Sequence, residues 1–175
     1  MTPEMDRTRR LVLLRHAKAE HGGQADELRP LALAGRRQCF KVGAALSRLD
    51  LVPELVLCSS AVRARQTWDL VRGGLGDVEP EVLVTDALYE AGVRQVLGQV
   101  HDVDERIRTV LVVGHEPTIS ATASALAGDG SVEDAVTHVF NGLSTGTFVV
   151  LELDGTWGDL AVGTARLTEV VSPKD

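Results

Sequence analysis

Four side chains in this sequence have the types and the setting that phosphoryl transfer demands. Arg15 and His16 follow the apolar run Leu11 to Leu14, Arg63 comes shortly after the run Leu55 to Cys58, and His115 follows Thr109 to Val113 after one glycine. Arginine offers permanently charged, planar donors that meet phosphate oxygens in pairs, a geometry lysine lacks. A neutral imidazole nitrogen attacks phosphorus without first being deprotonated by a strong base, so His16 or His115 can serve as nucleophile. The other, once protonated, would join the arginines in stabilising the charge spread over the equatorial oxygens. Taken singly, each pattern is commonplace: an Arg-His pair is more often a surface pair, a Gly-His-Glu often satisfies backbone groups, and the arginine of Ser-Ser-x-x-Arg is often only solvated. Their occurrence at three successive strand ends gives them weight.

Such residues need a scaffold whose strand ends lie together. Arg10 to Leu14 reads as a buried strand, too short for a helix, followed by a polar surface loop over Ala17 to Pro30 that contains Gly22 and Gly23. Val42, Ala45, Leu46 and Leu49 recur at helical spacing and predict a helix from Leu33 to Leu49. Leu55 to Cys58 forms a second strand running into Ser59 and Ser60, which suit an N-cap for a helix over Ala61 to Val71 that ends at Gly73 and Gly74. Glu81 to Val84 is a third strand, Val93 to Val100 a helix, and Thr109 to Val113 the clearest strand of all. Pro117 suits the first turn of a helix reaching Ala127. Thr147 to Leu153 and Gly158 to Thr168 read as two strands joined by a turn at Asp154 and Gly155. Alternating strands and helices closed by a hairpin predict an α/β fold of three layers, α/β/α. The central sheet is mostly parallel with antiparallel C-terminal strands, and residues 1–175 form one domain. Ligands of such sheets bind at the carboxyl ends of the parallel strands, where the four residues fall.

Composition narrows the function classes. With 44 % hydrophobic residues in 175, the chain can fill one substantial core, and its apolar runs are far too short to span a bilayer. The net charge of -7 argues against nucleic-acid or anionic-membrane partners, so an anionic substrate must be attracted locally. Cys39 and Cys58 read as small buried thiols, and with no secretion signal in the N-terminal segment the expected location is the cytoplasm. His21, His101 and His138 read as surface residues, and Asp26, Asp86 and Asp129 are scattered. No spacing suggests a zinc or magnesium site, and there is no P-loop; no metal and no cofactor are expected.

The segments LVLLRHAKAE, LRPLALAGRRQ, VLCSSAVRARQT and LVVGHEPTIS resemble the histidine phosphatase, or phosphoglycerate mutase-like, superfamily. The variant RHAKA, the Arg29-Pro30-Leu31 triplet and the short chain are most similar to the small bacterial phosphohistidine phosphatase subgroup. The resemblance implies that His16 is the nucleophile, Arg15 and Arg63 bind phosphate, His115 is the second pocket histidine and Arg29 also faces the phosphate. Ala32 stands where these proteins often carry threonine, which removes a helix cap. Branches of the family use a carboxyl group to protonate the departing oxygen, and Glu90 lies roughly where that acid is placed, although a solvated glutamate starting a helix is an equal reading. Lys18 is a more distant candidate for substrate contact, and Glu116 is expected to accept hydrogen bonds at a helix start.

The expected activity is therefore metal-independent phosphatase chemistry through phospho-His16, acting on a phosphohistidine protein. Two alternatives stay open: a phosphomonoester phosphatase on a small metabolite with Glu90 as general acid, and a phosphate-binding module without turnover.

Overall fold

The computed structural model describes residues 8–173. Its frame is a six-stranded sheet of β1 (Arg9–Arg15), β2 (Leu55–Ser59), β3 (Glu81–Thr85), β4 (Thr109–Gly114), β5 (Phe148–Leu153) and β6 (Arg166–Val171), in the order β3-β2-β4-β1-β5-β6. The first four strands are mutually parallel, and β5 runs antiparallel to both β1 and β6. Strands β1, β2 and β4 are apolar on both faces because both faces are covered, as parallel sheets require.

The crossovers dictate which face each helix covers. From β1 through α1 (Leu33–Arg48) to β2, and from β2 through α2 (Val62–Gly73) to β3, the chain steps in one direction along the sheet. From β3 through α3 (Val93–His101) to β4 it steps back. Right-handed crossovers then place α1 and α2 on one face and α3 on the other. The core divides accordingly. Cys39, Val42, Leu46, Ala64 and Trp68 pack with Val12, Leu14, Val56 and Val113 on the first face. Val96, Val100, Ile119 and Leu126 pack with Leu11, Leu13, Leu57 and Val112 on the second. Ile119 and Leu126 belong to α4 (Thr118–Leu126), which follows β4.

Four details depart from the sequence reading. A further helix, α5 (Glu133–Phe140), lies between α4 and β5 and buries Ala135 and Val139. The connection from β5 to β6 is no tight turn at Asp154 and Gly155, because Trp157 is fully buried and folds the chain into a 3-10 turn over Trp157–Asp159. The last strand consequently begins at Arg166. Neither Ser59 nor Ser60 caps α2; its N-cap is Ala61, whose N–H donates to Ser59 Oγ at 3.3 Å. Pro117 sits at the N-cap of α4 after a cis Glu116–Pro117 bond, and Ala32 is the N-cap of α1 without a side-chain cap bond. Cys39 and Cys58 are free, buried thiols, raised by burial to pKa values of about 11 and about 12. Among the described residues no helix is long and apolar enough to cross a membrane.

Candidate active site

β1 presents Arg15 and His16 at the carboxyl edge of the sheet. Arg15 is still paired with Gly114 of β4, and His16 N–H donates to Gly114 O at 3.0 Å. On the other side the N–H of Gly146, at a φ of +72° that disfavours a side chain, donates to Arg15 O at 3.2 Å and His16 O at 3.0 Å. The next residue is tied to α2: Ala17 N–H donates to Thr67 Oγ1 at 3.0 Å, and the Thr67 hydroxyl donates to Arg63 O at 2.7 Å. α1 closes in at Gly35, where an added Cβ would stand 2.0 Å from Lys18 O. The backbone around His16 is thus held from β4, the β5 approach, α1 and α2 together.

The tautomer of His16 follows from its partners. Its Nδ1 lies 2.7 Å from Ala17 O, and a carbonyl only accepts, so Nδ1 carries the proton. Nε2 is left with its lone pair, to which Arg63 Nε donates at 3.3 Å. The residue is 7 % exposed. Burial, opposed by the Ala17 bond and reinforced by His115, Arg63 and Arg15, holds its pKa near 3. His16 is therefore held neutral around neutral pH, with the Nε2 lone pair turned to Arg63.

His115 completes the group from the end of β4. Its ring centroid lies 5.2 Å from that of His16. Arg63 Nη2 approaches Nδ1 at 3.4 Å; because arginine can only donate, Nδ1 accepts and Nε2 donates to Ser59 Oγ at 2.7 Å. Burial and then the Arg63 charge lower the pKa to about 4, with Asp26 opposing. The second histidine is thus neutral in the ligand-free pocket. A phosphate dianion arriving there favours the protonated form, which the sequence reading assigned to it.

Arg15 turns its Nη1 to Leu143 O at 2.6 Å, while its Nε is buried and finds no partner among the described residues. The loop carbonyl it uses is held by Glu116, which accepts Leu143 N–H at 3.1 Å as well as the N–H and hydroxyl of Ser120 at 2.8 and 2.7 Å. Glu116 therefore serves the start of α4 and, through Leu143, the placement of Arg15.

Two residues in the cluster were not singled out from the sequence. Asp26 receives Arg63 Nη1 on its backbone oxygen at 2.7 Å, Arg63 Nη2 on Oδ2 at 3.0 Å and Arg29 Nε on Oδ1 at 3.0 Å. Tyr89 donates its hydroxyl to the same Oδ2, stands edge-on to His115 and has the Arg63 guanidinium 5.9 Å from its ring centroid. With Tyr89 as the first cause and Arg63 and Arg29 adding, the Asp26 carboxyl is lowered to about 2. The only sequence signal for Asp26 is its position one helical turn before Arg29; Tyr89 had none.

Of the other expected residues, Arg29 points to Asp26 and to Glu20 O. Glu90 is exposed and lines a separate surface cavity of about 510 Å³ with Ser60, Arg65 and Tyr89; no hydrogen bond joins it to His16, Arg63 or His115. Lys18, His21, His101 and His138 are exposed. A larger cavity of about 840 Å³ lies at the opposite, amino-terminal edge of the sheet between Glu54, Glu81 and Asp102. It contains no imidazole, and its guanidinium, Arg106, is paired with Asp104, so the chemistry of the four residues lies elsewhere. Among the described residues no group of three or more His, Cys, Asp or Glu converges to hold a metal.

The model of the histidine phosphatase superfamily, branch 1, matches residues 11–109, a span that carries Arg15, His16, Arg29, Arg63 and Glu90. The chain belongs to the histidine phosphatase superfamily. Its histidine phosphatase core is shared with an uncharacterized protein of Mycobacterium leprae, 35 % identical over 166 residues, covering 92 % of this chain and all of the relative. Among solved structures it is similar to a candidate phosphohistidine phosphatase SixA from Nakamurella multipartitia, with a TM-score of 0.83 and 36 % identity over 96 % of this chain and 98 % of that one. A candidate SixA from Agrobacterium tumefaciens superposes with a TM-score of 0.78 at 28 % identity, covering 94 % and 98 %. The α/β/α architecture with its antiparallel C-terminal strands is the phosphoglycerate mutase-like fold of these neighbours. This histidine phosphatase is a hydrolase of the phosphatase class. His115 lies beyond the matched span, and the β1–β4 pairing brings it to His16.

Proposed function

We propose that this chain hydrolyses phosphohistidine in proteins through a phosphohistidine intermediate on His16, without a metal. The observation that carries the proposal is the His16 Nε2 lone pair, which meets the Nε–Nη2 edge of Arg63, the same edge that reaches His115 Nδ1. A phosphoryl group entering there meets a nucleophile and converging donors. Nε2 attacks phosphorus in line, a new N–P bond forms, and the P–N bond of the substrate breaks with its electron pair going to the departing ring, which carries a proton on its other nitrogen and leaves as neutral imidazole. Arg15 and Arg63 hold the equatorial oxygens, and His115, protonated beside the dianion, adds a third donor. Water then attacks phospho-His16; its oxygen joins phosphorus, and the pair returns to Nε2.

The leaving group favours phosphohistidine over an alkyl ester. Imidazole departs with modest help, whereas an alkoxide needs an acid positioned to protonate it. Asp26, the carboxyl within the cluster, is held ionised at a pKa of about 2, and Glu90 stands outside it. The similarity to two candidate SixA phosphohistidine phosphatases supports the same class. The competing reading, a phosphomonoester phosphatase, rests on Glu90 directly following Tyr89, the ring that stands edge-on to His115.

A substrate panel separates these readings: a phosphohistidine peptide, phosphoamino acids and small phosphate esters, with His16→Ala as blank. The proposal expects the peptide to be preferred and Glu90→Gln to leave its turnover intact. Preference for an alkyl phosphate, together with a sharp loss in Glu90→Gln, would replace it by the monoesterase reading. Phosphate binding without any hydrolysis would make the chain a binding module.

A further inference from the structure

The guanidinium of Arg63 has two working edges. Its Nε–Nη2 edge faces His16 Nε2 at 3.3 Å and His115 Nδ1 at 3.4 Å. Its outer Nη1–Nη2 edge is clamped by one residue, Asp26, through the backbone oxygen at 2.7 Å and Oδ2 at 3.0 Å. Arginine reaches its target on a long flexible stem, so the direction of its donors is set by what holds the planar group. Asp26 is itself fixed: Arg29 Nε binds Oδ1 at 3.0 Å, and the Tyr89 hydroxyl binds Oδ2. The carboxylate thus joins the 20–30 loop, α2 and the segment after β3 at one point.

We infer that Asp26 is a positioning residue, which fixes the Arg63 guanidinium from behind so that its inner edge meets the phosphoryl group on His16. The inference rests on the phosphate-handling role of the pocket given above. Asp26 has no hydrogen bond to His16; it acts through Arg63. It leaves the inner edge of the guanidinium to the two histidines, because Nη2 turns one hydrogen to Oδ2 and the other to His115 Nδ1. The opposite assignment, a resident anion that competes with phosphate for Arg63, uses the same contacts and predicts the opposite sign. Removing a carboxylate beside an anion site strengthens anion binding by Coulomb's law alone. A loss on its removal therefore reports orientation.

The test is a double-mutant cycle read by calorimetric titration with inorganic phosphate on wild type, Asp26→Ala, Arg63→Ala and the double variant. The Asp26 side chain is 53 % exposed, so its truncation leaves the core intact. Asp26→Ala should weaken phosphate binding about ten-fold, within the coupling usual for groups in contact, and should change it by less than about two-fold once Arg63 is alanine. A merely structural role would weaken both backgrounds equally, and that result overturns the inference. Tighter binding in Asp26→Ala overturns it in favour of the competing anion, and unchanged binding, or a wild type that does not bind phosphate, overturns it outright. Hydrolysis of a phosphohistidine peptide by the wild type is measured alongside. If hydrolysis is absent while the coupling holds, the phosphohistidine reading falls and the role of Asp26 stands.

Discussion

Replacing Thr67 by valine removes one oxygen and keeps the shape, which makes it the most discriminating perturbation of the backbone around His16. Thr67 is fully buried, and its hydroxyl accepts Ala17 N–H at 3.0 Å and donates to Arg63 O at 2.7 Å. Valine fills the same volume, so no cavity term arises. Arg63 O lies inside α2 and retains its helical acceptor role, so its loss is minor. Ala17 N–H, in a residue 1 % exposed, is left without an acceptor, and an unsatisfied buried donor costs about 1–3 kcal/mol. Urea unfolding should show that loss as a lower midpoint with an unchanged slope. Ala17 also supplies the carbonyl that holds His16 Nδ1–H, so a shift of its peptide loosens the nucleophile, and kcat should fall about ten-fold with KM little changed. Thr67→Ser, which restores the hydroxyl, should recover most of the turnover. A valine variant as stable and as active as wild type would refute the claim that Thr67 secures His16.

Further expectations follow from the same contacts. Glu116→Ala deprives Ser120 N–H and Leu143 N–H of their acceptor and frees the carbonyl that Arg15 uses, so stability should drop by about 2 kcal/mol and turnover with it; steady-state kinetics and thermal unfolding test both, and wild-type kcat in this variant would contradict the link to Arg15. For pH, His16 and His115 have folded pKa values of about 3 and about 4 against an ordinary 6.5, so the unfolded chain takes up protons that the native pocket refuses. Their contribution is present above about pH 6.5 and is lost as pH falls to about 4 for His115 and about 3 for His16, at up to about 1.4 kcal/mol per pH unit for each histidine. Denaturant unfolding at pH 7, 6 and 5 should show the decline, and His16→Gln should flatten it by roughly half; a slope unchanged in that variant would contradict the buried neutral imidazole.

The clustering of the candidate residues was legible where residue type and strand end coincide. Short apolar runs followed at once by Arg15-His16, Ser59 or Gly114-His115 mark parallel strands and what their ends present, and the structure brings His16, Arg63 and His115 within hydrogen-bonding reach. Asp26 was hidden because its partners come from α2 and from the segment after β3, so only tertiary contact reveals it. The Asp154-Gly155 turn signal was overridden by burial: Trp157 sends its indole N–H to Ile107 O at 2.8 Å and its backbone N–H to Glu105 at 2.9 Å, which draws the chain into the core before β6. α5 was missed because its short sequence EDAVTHVF mixes β-branched residues with only Ala135 and Val139 on the buried side. Ser59 illustrates how a helix-cap signal can mislead, since its hydroxyl is engaged with His115.

The central claim is that His16 Nε2 takes the phosphoryl group. Rapid quench of wild type with a ³²P-labelled phosphohistidine peptide, followed by mapping of the labelled site, tests it most directly. A transient acid-labile, alkali-stable phosphoprotein is expected, with the label on His16 and absent in His16→Ala. Label on His115, or hydrolysis that persists in His16→Ala, would contradict it.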